Sequence, residues 1–286
     1  MDNRIHREII GGHLLVIGGA EDKYNERRIL RKFLELMGSD GGETKVLIVP
    51  VASDFPEFAA DIYVQAFRRL GIAQPRVLRA TSRADVFAAD ADEVLDGISG
   101  IFITGGDQMR LVSLLGGTNF AQKLGQMVSE TDIVVAGTSA GAAGMSASMI
   151  VRGESTPHPH KNSVRLSPGL GFLKNIIIDQ HFTERGRISR LITAVSYNPY
   201  NLGIGIDENT AIILDNEGIL EVFGEGTVTI LDGSQITYNE IAEVSDNQSF
   251  SVCGVQLHIL GNGLIYDYFA RTPMQPPNEF LLPDIE

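Results

Sequence analysis

Through the first two thirds of the chain, short apolar runs alternate with amphipathic stretches of helical period, the pattern of a parallel sheet covered on both faces. Residues 13–17, 45–49, 77–78, 100–104, 133–136 and 176–178 are rich in Val, Ile and Leu and do not alternate with polar residues, as expected of strands buried on both sides. Between them, Asn25 can cap a helix whose Ile29, Phe33 and Met37 recur every four residues and which Gly38 stops. Another helix runs through Phe58, Ile62 and Phe67 to Gly71. Past Gly203 the texture changes. Residues 210–214, 220–223, 227–231, 255–260 and 264–268 are strand-like, separated by Asp215-Asn216-Glu217-Gly218 and Gly261-Asn262-Gly263, turn sequences that predict antiparallel hairpins extending or flanking the sheet. Residues 272–286 carry Pro273, Pro276, Pro277 and Pro283 and read as an irregular tail. With no internal repeat and no long linker, residues 1–286 are expected to form one α/β domain.

Composition narrows the function. A formal net charge of −13 argues against a nucleic-acid partner, because phosphate binding rests on surplus Lys and Arg. Cys253 is the only cysteine, which suits a reducing compartment, and the first six residues lack the apolar core of a secretory signal, so a cytoplasmic location is expected. Residues 133–151 contain no charge and approach the length of a membrane span, but Gly137, Ser139, Gly141 and Gly144 interrupt them. A buried strand leading into a buried helix fits better, and no membrane partner is expected.

That stretch also holds the sharpest chemical signal. A strand ending at Ala136 runs into Gly137-Thr138-Ser139-Ala140-Gly141. A serine raised on a tight strand-to-helix turn needs small neighbours two residues to either side, because strand and helix come close together there. The turn would aim Ser139 outward from the carboxyl edge of the sheet, with the Ala140 amide as an oxyanion donor. A second loop, Gly105-Gly106-Asp107-Gln108, follows the strand at 100–104 and can turn backbone N–H groups, those of Gly106 and Asp107 foremost, toward the same edge. Gly18-Gly19 has a similar form, but without the full dinucleotide fingerprint it does not indicate a nucleotide site.

Of six histidines, His6 lies near an end and His13 begins a strand, while His158 and His160 fall in a loop with no third metal ligand in view. No metal or cofactor is expected. His181 follows an apolar strand and emerges at its carboxyl end, on the edge expected for Ser139; His258, in an alternating strand, is expected to face outward. A strand ending in Asp207-Glu208 supplies two candidate acids. Both the order Ser, His, acid and the α/β-hydrolase order, which would need His258, are physically open.

Taken together, Gly105-Gly106-Asp107-Gln108, Gly137-Thr138-Ser139-Ala140-Gly141-Ala142-Ala143, Asp179-Gln180-His181-Phe182 and Gly205-Ile206-Asp207-Glu208 resemble the cyanophycinases, of a serine peptidase family that includes aspartyl dipeptidase. The resemblance begins at Ile17-Gly18-Gly19-Ala20-Glu21-Asp22-Lys23 and extends over nearly the whole chain. It implies a three-layer α/β fold like that of class I glutamine amidotransferases, with helices on both faces of a mostly parallel sheet, and a homodimer. It also implies a Ser–His–Glu triad on Ser139, His181 and Glu208, and cyanophycin as substrate, cut to β-Asp-Arg dipeptides. Gln108, Asp179 and Gln180 match family positions lining the cleft. Arg185, Arg187 and Arg190 stand at the start of a helix, where the dipole disfavours cations, so a carboxylate-binding role is expected of them. The remaining alternatives are an α-aspartyl dipeptidase, an esterase using His258 and a silent binding protein of the same fold.

Overall fold

The computed structural model describes residues 10–38, 45–153 and 155–274. In chain order it contains β1 (His13–Ile17), α1 (Arg28–Leu36), β2 (Val46–Val49), α2 (Pro56–Arg69), β3 (Arg76–Val77), α3 (Arg83–Ala88), α4 (Ala91–Leu95), β4 (Gly100–Ile103), α5 (Gln108–Leu115), α6 (Asn119–Glu130), β5 (Val134–Thr138) and α7 (Ala140–Gly144). There follow β6 (Ser148–Gly153), β7 (Val164–Pro168), β8 (Ile176–Gln180), α8 (Ile188–Tyr197), β9 (Leu202–Ile206), β10 (Thr210–Leu214), β11 (Ile219–Gly224) and β12 (Val228–Asp232). The last are β13 (Tyr238–Asn239), β14 (Val252–Cys253), β15 (Gln256–Leu260), β16 (Ile265–Asp267) and β17 (Thr272–Met274).

Among the described residues, nine strands form the main sheet in the order β17-β16-β11-β10-β1-β5-β4-β2-β3. The five from β1 to β3 are parallel to one another, and β10, β11, β16 and β17 extend this half antiparallel from β1. The continuous apolar runs divide between two faces. Leu15, Ile17, Val46, Ile48, Phe102, Val134 and Ala136 turn toward α1 and α2. Leu14, Val16, Leu47, Val49, Ile101, Ile103 and Val135 turn to the other face, packed by residues of α3 to α7.

The strands expected to lengthen this sheet do not all do so. β8, β9, β12 and β15 form a separate four-stranded sheet in the order β15-β12-β9-β8. Ile178, Ile204, Ile206, Val228 and Ile230 of that sheet join the same core as the second face of the main sheet. Its far side, through Ile177 and Leu231, is covered by Leu191, Ala194 and Val195 of α8. Apolar runs look alike whichever sheet they enter, and only the pairing separates them.

Local details also differ. The N-terminal cap of α1 is Arg27, not Asn25. Asp22 organises the approach instead, its carboxylate accepting the amides of Tyr24, Asn25 and Arg27 at 2.9–3.0 Å, which holds its pKa well below the ordinary carboxylate value. On α2 Phe58 is exposed, and Ala60, Tyr63, Ala66 and Phe67 are buried. The tail is not irregular from its start, since Thr272–Met274 pairs with β16; residues 275–286 lie outside those described. On β15 the alternation is the reverse of that expected: Leu257 and Ile259 are exposed, while His258 turns inward with its ring 5.6 Å from that of Tyr266. Among the described residues no helix is long and apolar enough to cross a membrane.

Phe102 is fully buried at the centre of an aromatic cluster, with ring centroids of Tyr63, Phe67 and Phe33 at 4.6, 5.5 and 5.7 Å. Phe102→Ala is expected to cost ~3–5 kcal/mol of stability, because the sheet and two helices cannot collapse into the space. Urea unfolding measures it, and a loss under ~1 kcal/mol would contradict this packing.

Candidate active site

Ser139 is the hinge between β5 and α7. Its backbone lies at φ 53°, ψ −113°, a conformation that costs a non-glycine residue ~1–3 kcal/mol and needs support from its surroundings. That support is close packing. A Cβ on Gly137 would stand 2.7 Å from the Gly141 carbonyl carbon, and a Cβ on Gly141 would stand 2.3 Å from the Ile103 oxygen. Glycine alone fits at both positions, which is why the two flank the serine.

His181 reaches this point from the second sheet. It follows β8, also at positive φ (49°), and its N–H donates to the Gly18 carbonyl at 2.8 Å. Its ring lies over Gly19, where a Cβ would meet Cε1 at 2.3 Å. Nε2 is 2.9 Å from Ser139 Oγ, and Nδ1 is 2.5 Å from Glu208 Oε1. Glu208 follows β9, and its own N–H donates to Glu184 Oε1 at 3.1 Å. Asp207 has a different task. Buried, it accepts the N–H and hydroxyl of both Thr183 and Thr227 at 2.8–3.1 Å, fastening the end of β9 to its neighbours. With Nδ1 engaged by a carboxylate, Nε2 is the ring nitrogen able to take a proton from the hydroxyl. A hydroxyl, imidazole and carboxylate in this series can make a serine nucleophilic.

Gly105 crowds Ser139, since a Cβ there would lie 3.3 Å from the Cβ of the serine. Among the described residues the N–H groups of Gly106 and Ala140 have no hydrogen-bond partner, so both are available to a developing oxyanion. Asp107 is not. Its N–H donates to the Ala52 carbonyl at 2.9 Å, and its carboxylate caps α5 by accepting the amides of Met109 and Arg110 at 2.6 and 3.2 Å.

Residues 14–222 match the family model described as Peptidase family S51. The chain belongs to that family. Gly106, Ser139, Ala140, His181 and Glu208 all lie inside the match. A cyanophycinase of Geminocystis herdmanii is 38% identical over 268 residues, covering 94% of this chain and 98% of that protein. A cyanophycinase of Synechococcus elongatus is 39% identical over 259 residues, covering 90% and 79%. The crystal structure of a peptidase from an acI-B1 Actinobacterium has the same fold, with a TM-score of 0.68 at 21% identity over 91% of this chain and 98% of that one.

The arginines of this S51 chain are arranged differently from what the sequence suggests. Asp179 is wholly buried, and Arg190 grips its carboxylate through Nε at 2.7 Å and through Nη2; Arg187 Nη1 adds a contact at 3.2 Å. Arg187 Nη1 also meets the Gln180 carbonyl, and Arg190 Nη1 the Gly153 carbonyl at 3.1 Å. Asp179, Arg187 and Arg190 therefore make an internal ion cluster rather than a set of free forks. Burial, opposed by Asp179, brings the pKa of Arg187 down to about 10. Arg185 is exposed, and among the described residues its guanidinium has no partner. The Gln108 side chain donates to the Ile150 carbonyl at 2.8 Å, joining α5 to β6, and Gln180 is buried. His258, on the edge strand of the second sheet, makes no contact with Ser139. His160 pairs with Ser249 beside the β6–β7 hairpin.

Gly18-Gly19, which carries no dinucleotide fingerprint, seats His181. Asn209 is a further residue that the sequence did not reveal. At φ 48° it donates its N–H to the Gly19 carbonyl at 2.9 Å and accepts the Asp22 amide at 3.0 Å. An Asn straight after two carboxylates was the available signal, since Asn tolerates the left-handed region.

Burial, assisted by the charges of Arg185 and Arg187 and opposed by the Glu208 hydrogen bond, lowers the pKa of His181. The base-competent neutral ring then persists to lower pH than usual, and activity is lost only as pH falls through the depressed value. The acid limb of kcat/KM is expected below the ordinary histidine value of about 6.5. In Arg185→Gln, which removes one of the cations, that limb should move upward. A limb that stays put would separate Arg185 from the imidazole. Arg190→Ala leaves Asp179 buried and under-paired, and is expected to cost ~3–5 kcal/mol in urea unfolding. Arg185→Ala, at an exposed position, should stay within ~0.5 kcal/mol. Equal costs would contradict the burial pattern.

Proposed function

We propose that the chain is a serine-type exopeptidase that hydrolyses cyanophycin, a poly-aspartate backbone carrying arginine on its β-carboxyls, to β-Asp-Arg dipeptides. The observation that carries this reading is the hydrogen-bonded series Ser139–His181–Glu208 beside two unengaged amides. Ser139 Oγ attacks the backbone carbonyl while His181 Nε2 takes its proton, and Glu208 stabilises the imidazolium. Gly106 and Ala140 donate to the oxyanion. His181 returns the proton to the departing amine, and water, deprotonated by the same nitrogen, then releases the acyl group from Ser139.

The charges next to this series favour an anionic substrate group. Arg187 and Arg190 share one carboxylate, so the cluster keeps a net positive charge, and Arg185 adds an exposed guanidinium close enough to affect His181. A carboxylate of the substrate would pair with Arg185 in a planar fork. The curated relatives support cyanophycin as the polymer that offers it. The same reading takes residues 1–286 as a single domain of class I glutamine amidotransferase-like architecture, acting in the cytoplasm as a homodimer without metal or cofactor.

Purified protein incubated with cyanophycin is expected to release a product with the mass of β-Asp-Arg, and folded Ser139→Ala should lose ~10⁴-fold or more of that activity. Cleavage of short α-aspartyl peptides with the polymer left intact would replace this substrate by that of an aspartyl dipeptidase. Activity retained in Ser139→Ala would overturn the serine mechanism.

A further inference from the structure

The loop between β1 and α1 touches all three segments that carry the proposed triad. Ser139 donates its N–H to the Ile17 carbonyl at 3.1 Å, just ahead of the loop. The Gly18 carbonyl accepts the His181 N–H, and Gly19 lies under the imidazole. The Gly19 carbonyl accepts the Asn209 N–H, one residue beyond Glu208. One loop of a few residues thus spans contributions from β5, β8 and β9.

At the centre of this loop is a carboxylate for which the hydrolysis has no direct use. Glu21 is 2% exposed, although Glu is among the residue types least often buried. Its two oxygens are divided. Oε1 accepts the Tyr63 hydroxyl at 2.5 Å and pairs with Lys23 Nζ at 3.1 Å, while Oε2 accepts the Thr138 hydroxyl at 2.5 Å. Thr138 immediately precedes the nucleophile and is itself buried. Tyr63 belongs to α2, on the far face of the sheet from α7, and packs on Phe102. Burial, joined by the Glu21 carboxylate, pushes the Tyr63 hydroxyl well above its ordinary pKa, so it stays a proton donor. A carboxylate turns an acceptor oxygen to each of the two hydroxyls, whereas an amide at position 21 would keep one acceptor oxygen and turn N–H groups toward the other hydroxyl.

The geometry points to Glu21 as a positioning residue for the reaction at Ser139: by bonding to Thr138 from the loop that also holds His181 and Asn209, it sets the spacing of nucleophile, base and acid from one anchor. This rests on Ser139 being the nucleophile, but not on the identity of the substrate. Glu21→Gln is expected to lower kcat at least 10-fold with KM within twofold of the native value. The rate at which a fluorophosphonate labels Ser139 should fall in parallel, while circular dichroism still reports a folded chain at the assay temperature. Thr138→Val, which removes the hydroxyl, should reproduce the loss, and Thr138→Ser, which keeps it, should label at close to the native rate. Combining Glu21→Gln with Thr138→Val should add little to either change alone, since both break one bond.

The labelling rate separates failure of this inference from failure of the substrate assignment, because it requires no cyanophycin. Should Glu21→Gln not fold, the Thr138→Val and Thr138→Ser pair decides. Native labelling rates in folded Glu21→Gln or Thr138→Val, or equal losses in Thr138→Val and Thr138→Ser, would overturn the assignment.

Discussion

The contact on which the rest depends is the 2.9 Å hydrogen bond between Ser139 Oγ and His181 Nε2, because its partners come from two different sheets. Neither residue sits in a relaxed backbone conformation, with φ at 53° and 49°. Left-handed angles at non-glycine residues persist only where the surroundings over-determine them. Here they are over-determined by close approach. Gly137 and Gly141 let β5 and α7 meet, Gly18 lets the end of β1 approach the Asp207 carbonyl, and Gly19 lies against the imidazole. The core shared by the two sheets keeps their carboxyl ends together, so a misfit of ~1 Å in that core would be felt at the bond.

Electrostatics follows from the same packing. Burying Asp179 beneath the site requires compensating cations, and Arg187 and Arg190 supply two. Burial, with the charges of Arg185 and Arg187 beside it, depresses the His181 pKa, which keeps the ring neutral and able to accept a proton. One buried carboxylate therefore shapes both the fold around α8 and the chemistry at the cleft.

Much of this was legible in the sequence where the cause is local. The strands of the parallel half announce themselves as uninterrupted apolar runs, and the elbow announces itself because only small residues can stand beside Ser139. What depends on distant partners was not legible. Nothing near residues 176–178 or 202–206 tells which sheet they join, since it is decided by the pairing of β9 with β12 and of β8 with β9. Arg187 and Arg190 looked like ligand-binding forks because Asp179 lies on another element, eleven residues before Arg190. The Asp107 amide looked available until the loop after β2 placed the Ala52 carbonyl on it. His258 was expected to face outward by alternation, but the strand turns its apolar residues out instead. Helix ends failed for a related reason: Asp22 gathers three amides from outside the helix and leaves Asn25 no cap to make.

A crystal structure of Ser139→Ala with a bound aspartyl-arginine oligomer would test the central claim most directly. The scissile carbonyl carbon is expected beside residue 139, its oxygen ~3 Å from the amides of Gly106 and residue 140, and His181 Nε2 facing the departing nitrogen. An oligomer whose backbone carbonyl lies away from residue 139, or whose oxygen meets neither amide, would contradict it.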